Sequence, residues 1–158
     1  MPLGLRPVLA LAMLAVLPAF AQEPPNFSGE WVRVEPPTDA GVVLSVVQTA
    51  SVIRISSQSA DGPGSDTYTL GTKGGIVGGI GPTLGASTAN VEWSAVWKDM
   101  TLFLTRTLSV IQDSVKTRVS GREEVWSFDA EEHLVIVVTG YRPDTAPTTT
   151  RFLYRKRR

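Results

Sequence analysis

The chain has 158 residues, 42% hydrophobic, 19% charged and 8% aromatic, the make-up of one ordinary folded domain. That excludes an acidic disordered chain, a collagen-like repeat and a long coiled coil. Lysine plus arginine equals aspartate plus glutamate at 15 each, so no global basic field points to nucleic acid, and 14 Gly and 11 Pro against three Met predict a turn-rich chain.

Residues 1–21 read as a cleaved signal peptide. Arg6 and the amino terminus supply the positive start, and Val8 to Leu17 is an unbroken apolar run. Pro18 ends it, and Ala19-Phe20-Ala21 is the small-x-small pattern cut by signal peptidase, here between Ala21 and Gln22. A bilayer span needs roughly 20 apolar residues, which this run does not supply, so no transmembrane segment is expected in the mature chain. The expected location is periplasmic or secreted. The chain has no cysteine, so no disulfide staples the exported domain and its core must suffice.

Residues 22–28 form an extended, proline-bearing lead-in, and residues 29–158 read as one β domain. β-Branched and aromatic runs alternate with Gly, Pro, Asp and Ser, the pattern of short strands and turns. Strands are predicted over residues 30–34, 42–49, 52–57, 67–70, 89–97, 101–110, 115–128, 133–139 and 148–156. Asp61-Gly62-Pro63-Gly64 reads as a turn, and Gly71 to Gly85, with seven glycines and one proline, as a loop around at most one weak strand. Gly121 interrupts the longest run and predicts a bulge there. Two segments run from a tryptophan through an acidic turn into an aliphatic strand, at Trp97 and at Trp126. Short turns join antiparallel neighbours, so the expected fold is an all-β meander of about eight to ten strands that protects its edges either as an antiparallel up-and-down barrel or as a two-sheet sandwich; the motif that opens the domain favours the barrel.

Asn26-Phe27-Ser28-Gly29-Glu30-Trp31 opens the domain. It resembles the G-x-W signature on the first strand of lipocalins and related calycin barrels. The resemblance implies that Trp31 closes one barrel end behind Gly29. It also implies that an arginine of the last strand, Arg151 or Arg155, packs over Trp31, because a guanidinium stacks well on an indole face. The layout is further similar to exported bacterial lipocalin-like proteins of unassigned function, which share the N-F-S-G-x-W opening, a tryptophan-serine hairpin as at Trp126-Ser127 and a last strand finishing Tyr-Arg-Lys, as at Tyr154-Arg155-Lys156. The disulfides and C-terminal helix of animal lipocalins have no counterpart here.

Catalytic signatures are missing. His133 is the only histidine and follows an acidic turn, so neither a metal site nor a triad is indicated. Glu123 and Glu124 are neighbours on one strand and point to opposite faces, so they do not form a catalytic pair. No cofactor is expected. The candidate ligand-binding residues are Trp93 and Trp97, which share a strand face, Trp126 on the long strand, and Arg106. The last lies on the face of Leu102, Leu104 and Leu108; an inward arginine needs a partner, either Glu92 or Glu124 or an anionic ligand group.

The expected function is that of an exported, non-enzymatic β-barrel that binds a small hydrophobic or amphipathic molecule. The alternative is a protein-binding module of the cell envelope, such as a protease inhibitor or envelope factor, that presents Gln22 to Ser28 to a protein partner. An open lined cavity distinguishes the first; a filled barrel with an exposed apolar patch or a displayed arm distinguishes the second. An enzyme, the third reading, requires clustered ionisable groups with perturbed pKa values in a cleft.

Overall fold

The computed structural model describes residues 23–37, 41–59, 62–79 and 88–158. The predicted signal peptide and the stretch from residue 80 to Gly85 lie outside the described residues. Ten strands follow in chain order: β1 (Gly29–Glu35), β2 (Val43–Gln48), β3 (Val52–Ser59), β4 (Gly62–Thr69), β5 (Thr72–Gly79), β6 (Thr88–Lys98), β7 (Thr101–Gln112), β8 (Val115–Phe128), β9 (Leu134–Tyr141) and β10 (Thr148–Lys156).

All ten belong to one antiparallel sheet, hydrogen-bonded in the order β4-β3-β2-β1-β10-β9-β8-β7-β6-β5. Every neighbour is a chain neighbour except one: β1 pairs with β10, placing Trp31 opposite Lys156 and Arg33 opposite Tyr154. That pairing curls the meander into the up-and-down barrel that the lipocalin resemblance implies, rather than a two-sheet sandwich. Closure is incomplete between β4 and β5. There a parallel bridge from Leu70, just past β4, to Ala95 of β6, with the Gly71 N–H donating to the Ala95 carbonyl at 2.6 Å, ties the seam near one end.

Strand alternation sorts the side chains. Leu44 and Val46 of β2, Ile53 of β3, Ala95 of β6, Leu102 and Leu104 of β7, Trp126 of β8, and Leu134 and Ile136 of β9 all fill the interior. The strands run to and fro, so the barrel has two distinct ends. One carries the lead-in and the turns before β3, β7 and β9; the other carries the β7–β8 turn and the β9–β10 connection.

Three local expectations need correction. Gly62, Pro63 and Gly64 are not a turn but the start of β4, paired with Ser59, Gln58 and Ser57. A proline survives there because β4 is an edge strand, where a missing N–H costs no ladder bond on the open side. Gly71 to Gly85 holds a full eight-residue strand, β5, despite its glycines, because β6 pairs along its whole length. The bulge in β8 falls at Val119, not Gly121: Leu108 faces Ser120, while the next residue, Ser109, faces Arg118. Gly121 stays in the ladder, where its missing side chain leaves room for Arg118. A Cβ there would collide with the Arg118 guanidinium, which crosses to lie 4.5 Å from the Tyr141 ring centre.

The acidic turn before β9 is tied by its own side chains. Asp129 Oδ1 accepts the backbone N–H groups of Glu131 and His133, each at 2.9 Å, and Asp129 Oδ2 lies 3.3 Å from His133 Nδ1. These contacts, the His133 N–H foremost, hold the Asp129 carboxyl below its ordinary pKa. His133 therefore serves the turn.

Candidate functional site

The barrel has a floor made from the lead-in. Phe27 is fully buried inside it. Its ring stacks on Trp97 with centroids 5.7 Å apart and planes within 8°, meets Trp126 edge-on at 5.7 Å, and touches Phe128 at 4.9 Å. Trp31 lies against Phe128 from the other side, at 5.7 Å. Offset and edge-on geometries are those that aromatic quadrupoles favour.

Polar groups hold the floor in register. The Trp31 indole N–H donates to the Phe27 carbonyl at 2.9 Å. Gln48 clamps the lead-in with both ends of its amide: Oε1 accepts the Phe27 N–H at 3.0 Å, and Nε2 donates to the Pro25 carbonyl at 2.9 Å. The buried backbone of the lead-in is thereby satisfied. Gly29 turns the chain into β1 with φ at +139°, and an added Cβ would come within 2.9 Å of Lys156 Cε. Only glycine combines that conformation with that approach.

Above the floor the barrel is hollow. A cavity of about 480 Å³ has apolar walls from Leu44, Ile55, Leu104, Ile136, Val138 and Phe152. This is the size range of sites for drug-sized molecules. Five charged side chains also line it: Arg33, Asp66, Arg106, Arg122 and Glu124. Tyr68 and Tyr154 add two phenol groups.

Most of these charges are paired. Glu124, largely buried, uses both oxygens: Oε1 lies 2.6 Å from Arg122 Nε, and Oε2 accepts the Trp126 indole N–H at 2.8 Å. Arg106 reaches Asp66 at 3.2 Å, with both side chains about half exposed at the mouth. This contact joins β7 to β4 across the incomplete seam. Burial pushes the Tyr68 phenol up to about 12, helped by the Glu124 and Asp66 charges and opposed by Arg106 and Arg122. Burial likewise raises Tyr154, against the pull of Arg33. Both phenols are neutral donors at physiological pH.

Of the four candidate ligand residues, the cavity brings together two, Arg106 and Trp126. Trp97 belongs to the floor through its stack on Phe27, and Trp93 packs part-buried against the core without lining the cavity. The partner expected for Arg106 also changes. It is Asp66, because Glu124 is held by Arg122 and Trp126, and Glu92 pairs with Lys116 at 2.8 Å.

The cation over Trp31 is Lys156, its Nζ 5.4 Å from the ring centre, and not Arg151 or Arg155. Register decides this: Lys156 faces Trp31, while Arg155 faces Val32 one residue along and so points the other way. Arg151 lies near the other end of β10 and pairs with Glu35 at 3.4 Å on an exposed surface.

Sequence reading alone missed Arg33, Asp66, Tyr68, Arg122 and Tyr154 as cavity residues. The signal for Arg33 was present. Once Trp31 points inward, the residue two positions on does too. Among the described residues, no group of three or more His, Asp or Glu is placed to hold a metal ion.

No family model and no curated protein sequence matches the chain. A solved structure to which it is similar is that of the wild-type fluorescent protein UnaG, with 12% identical residues, 83% of this chain and 97% of that one covered, and a TM-score of 0.47.

Proposed function

We propose that the protein is an exported, non-enzymatic carrier or scavenger that binds a small amphipathic molecule inside its barrel. The observation that supports this reading most is the hollow of about 480 Å³ above a floor built from the chain's own aromatic groups. A barrel this small can fill its interior with side chains, and this one instead leaves space between apolar walls and a few placed polar groups. Support for export comes from Arg6, the Val8–Leu17 run and Ala19-Phe20-Ala21. Less supports the protein-binding alternative. Phe27, at the heart of the segment that would greet a partner, is turned into the barrel, and the two most exposed of the described valines, Val47 and Val115, lie on separate strands at opposite ends.

Native mass spectrometry of the protein recovered from its own cells, beside its denatured mass, tests the proposal. The expected result is an excess of a few hundred daltons that disappears on denaturation. A bare mass, together with a barrel that takes up no neutral apolar dye, refutes it and favours a protein partner.

A further inference from the structure

Arg33 is the one cavity arginine without a counter-charge. Arg106 has Asp66 and Arg122 has Glu124, whereas no carboxylate among the described residues lies within ion-pair distance of Arg33. Among the described lining residues, three arginines against two acids leave one positive charge in excess. The Arg33 Nε atom is buried and has no hydrogen-bond partner. Its guanidinium carbon sits 5.4 Å from the Phe152 ring centre, which gives the charge a neighbour but offers no lone pair to the N–H. A buried donor without an acceptor costs free energy, and more so when the group is charged. Tyr154 stands opposite Arg33 in the β1–β10 ladder, and its phenol feels the Arg33 charge. Two donors therefore face one region of the cavity with no acceptor assigned to the arginine.

We infer that the ligand is an amphipathic acid whose oxyanion binds at Arg33, with its apolar body against Ile55, Val138 and Phe152. This rests on the ligand-binding reading above and adds the charge of the ligand and the residue that selects it. The oxyanion pairs with the terminal N–H groups of the Arg33 guanidinium and cancels the excess charge, and a guanidinium fork suits a planar carboxylate. The Arg106–Asp66 and Arg122–Glu124 pairs are already neutralised, so they set the walls of the pocket and leave recognition to Arg33.

The test separates the two readings by using a neutral reporter. N-phenyl-1-naphthylamine gains fluorescence in apolar cavities and carries no charge. The purified protein is first titrated with this dye, which is then displaced with decanoate and with 1-decanol, molecules of one chain length that differ in the head group. The expected result is dye binding with decanoate displacing at a concentration at least tenfold below that of decanol. In Arg33→Met the dye still binds and the preference for the acid falls to parity. Arg54→Met, an exposed change on the outer face of β3, keeps the preference. Absence of dye binding refutes the ligand-binding reading and this inference with it. Dye binding with equal displacement by acid and alcohol in the unaltered protein leaves the binding reading standing and overturns the inference. A preference that survives in a folded Arg33→Met protein overturns it too. The comparison on the unaltered protein does not depend on how any variant folds.

Discussion

Replacing Phe27 by alanine removes the centre of the floor, and its cost follows from burial. An aromatic side chain hides roughly 150–250 Å² on folding, worth about 4–6 kcal/mol at ~25 cal/mol per Å². Alanine keeps a small part of that area, while the vacated space loses ring contacts to Trp97, Trp126 and Phe128. The hydrogen bond from Trp31 survives because its acceptor is the Phe27 backbone carbonyl. The net expectation is a loss of about 3–5 kcal/mol, the usual range for Phe to Ala in a core. With a urea m-value of about 2 kcal/mol per M, the unfolding midpoint falls by roughly 2 M while the slope is unchanged. Near-ultraviolet circular dichroism is the suitable monitor, since Trp31, Trp97 and Trp126 all report on the same cluster. A midpoint shift under about 0.5 M with an intact near-ultraviolet signal would show that the lead-in is not docked in the barrel, and the description of a plugged floor would be wrong.

Two further outcomes concern pH. Asp129 is held below its ordinary pKa mainly by the His133 backbone N–H, so its stabilisation is present at neutral pH and is lost as the pH falls past the ordinary aspartate value, near about 4, toward the folded value. Asp129→Ala is therefore less stable than the unaltered protein at pH 7, and urea midpoints measured down the acid range converge; a gap that stays constant to pH 3 refutes the assignment. Tyr68, raised to about 12 by burial, contributes stability that is complete below the unfolded tyrosine value of about 10 and is lost as the pH climbs toward 12. In an alkaline absorbance titration, Tyr68→Phe removes a late phenolate step, and in denaturant the unaltered protein shows that step back near 10; loss of an early step instead places Tyr68 in solvent.

Alternation made the second half of the barrel readable. Val91, Trp93, Ala95 and Trp97 share a face in β6, and β8 and β10 have the bounds that their sequence predicts, Val115–Phe128 and Thr148–Lys156. The first half was harder for physical reasons. Gly62, Pro63 and Gly64 carry turn chemistry, and only the edge position of β4 lets them pair. Phe27 is one aromatic residue in a polar, proline-bearing stretch, and no local pattern says that it folds back into the barrel. The Arg106–Asp66 contact joins residues on β7 and β4, a meeting that depends on how the sheet curls and not on any spacing along the chain. Register was the missing quantity at Trp31: one residue's difference along β10 gives the ring a lysine in place of an arginine.

The place of the incomplete seam has a consequence for the order of assembly. Because β4 and β5 share no ladder, β1 to β4 and β5 to β9 are two hairpin stacks whose continuous strand-to-strand connection runs through β10. That strand stitches β9 to β1 with continuous ladders, whereas across the seam the halves meet through the Leu70–Ala95 bridge and the Arg106–Asp66 pair. The hollow draws its lining from both stacks, so its closed wall requires the β1–β10 pairing. Joining chain segments so far apart carries a large loop-closure entropy, the hallmark of slow folding in β proteins. A chain in which β10 has not yet paired therefore has two ladders that meet only along the short seam.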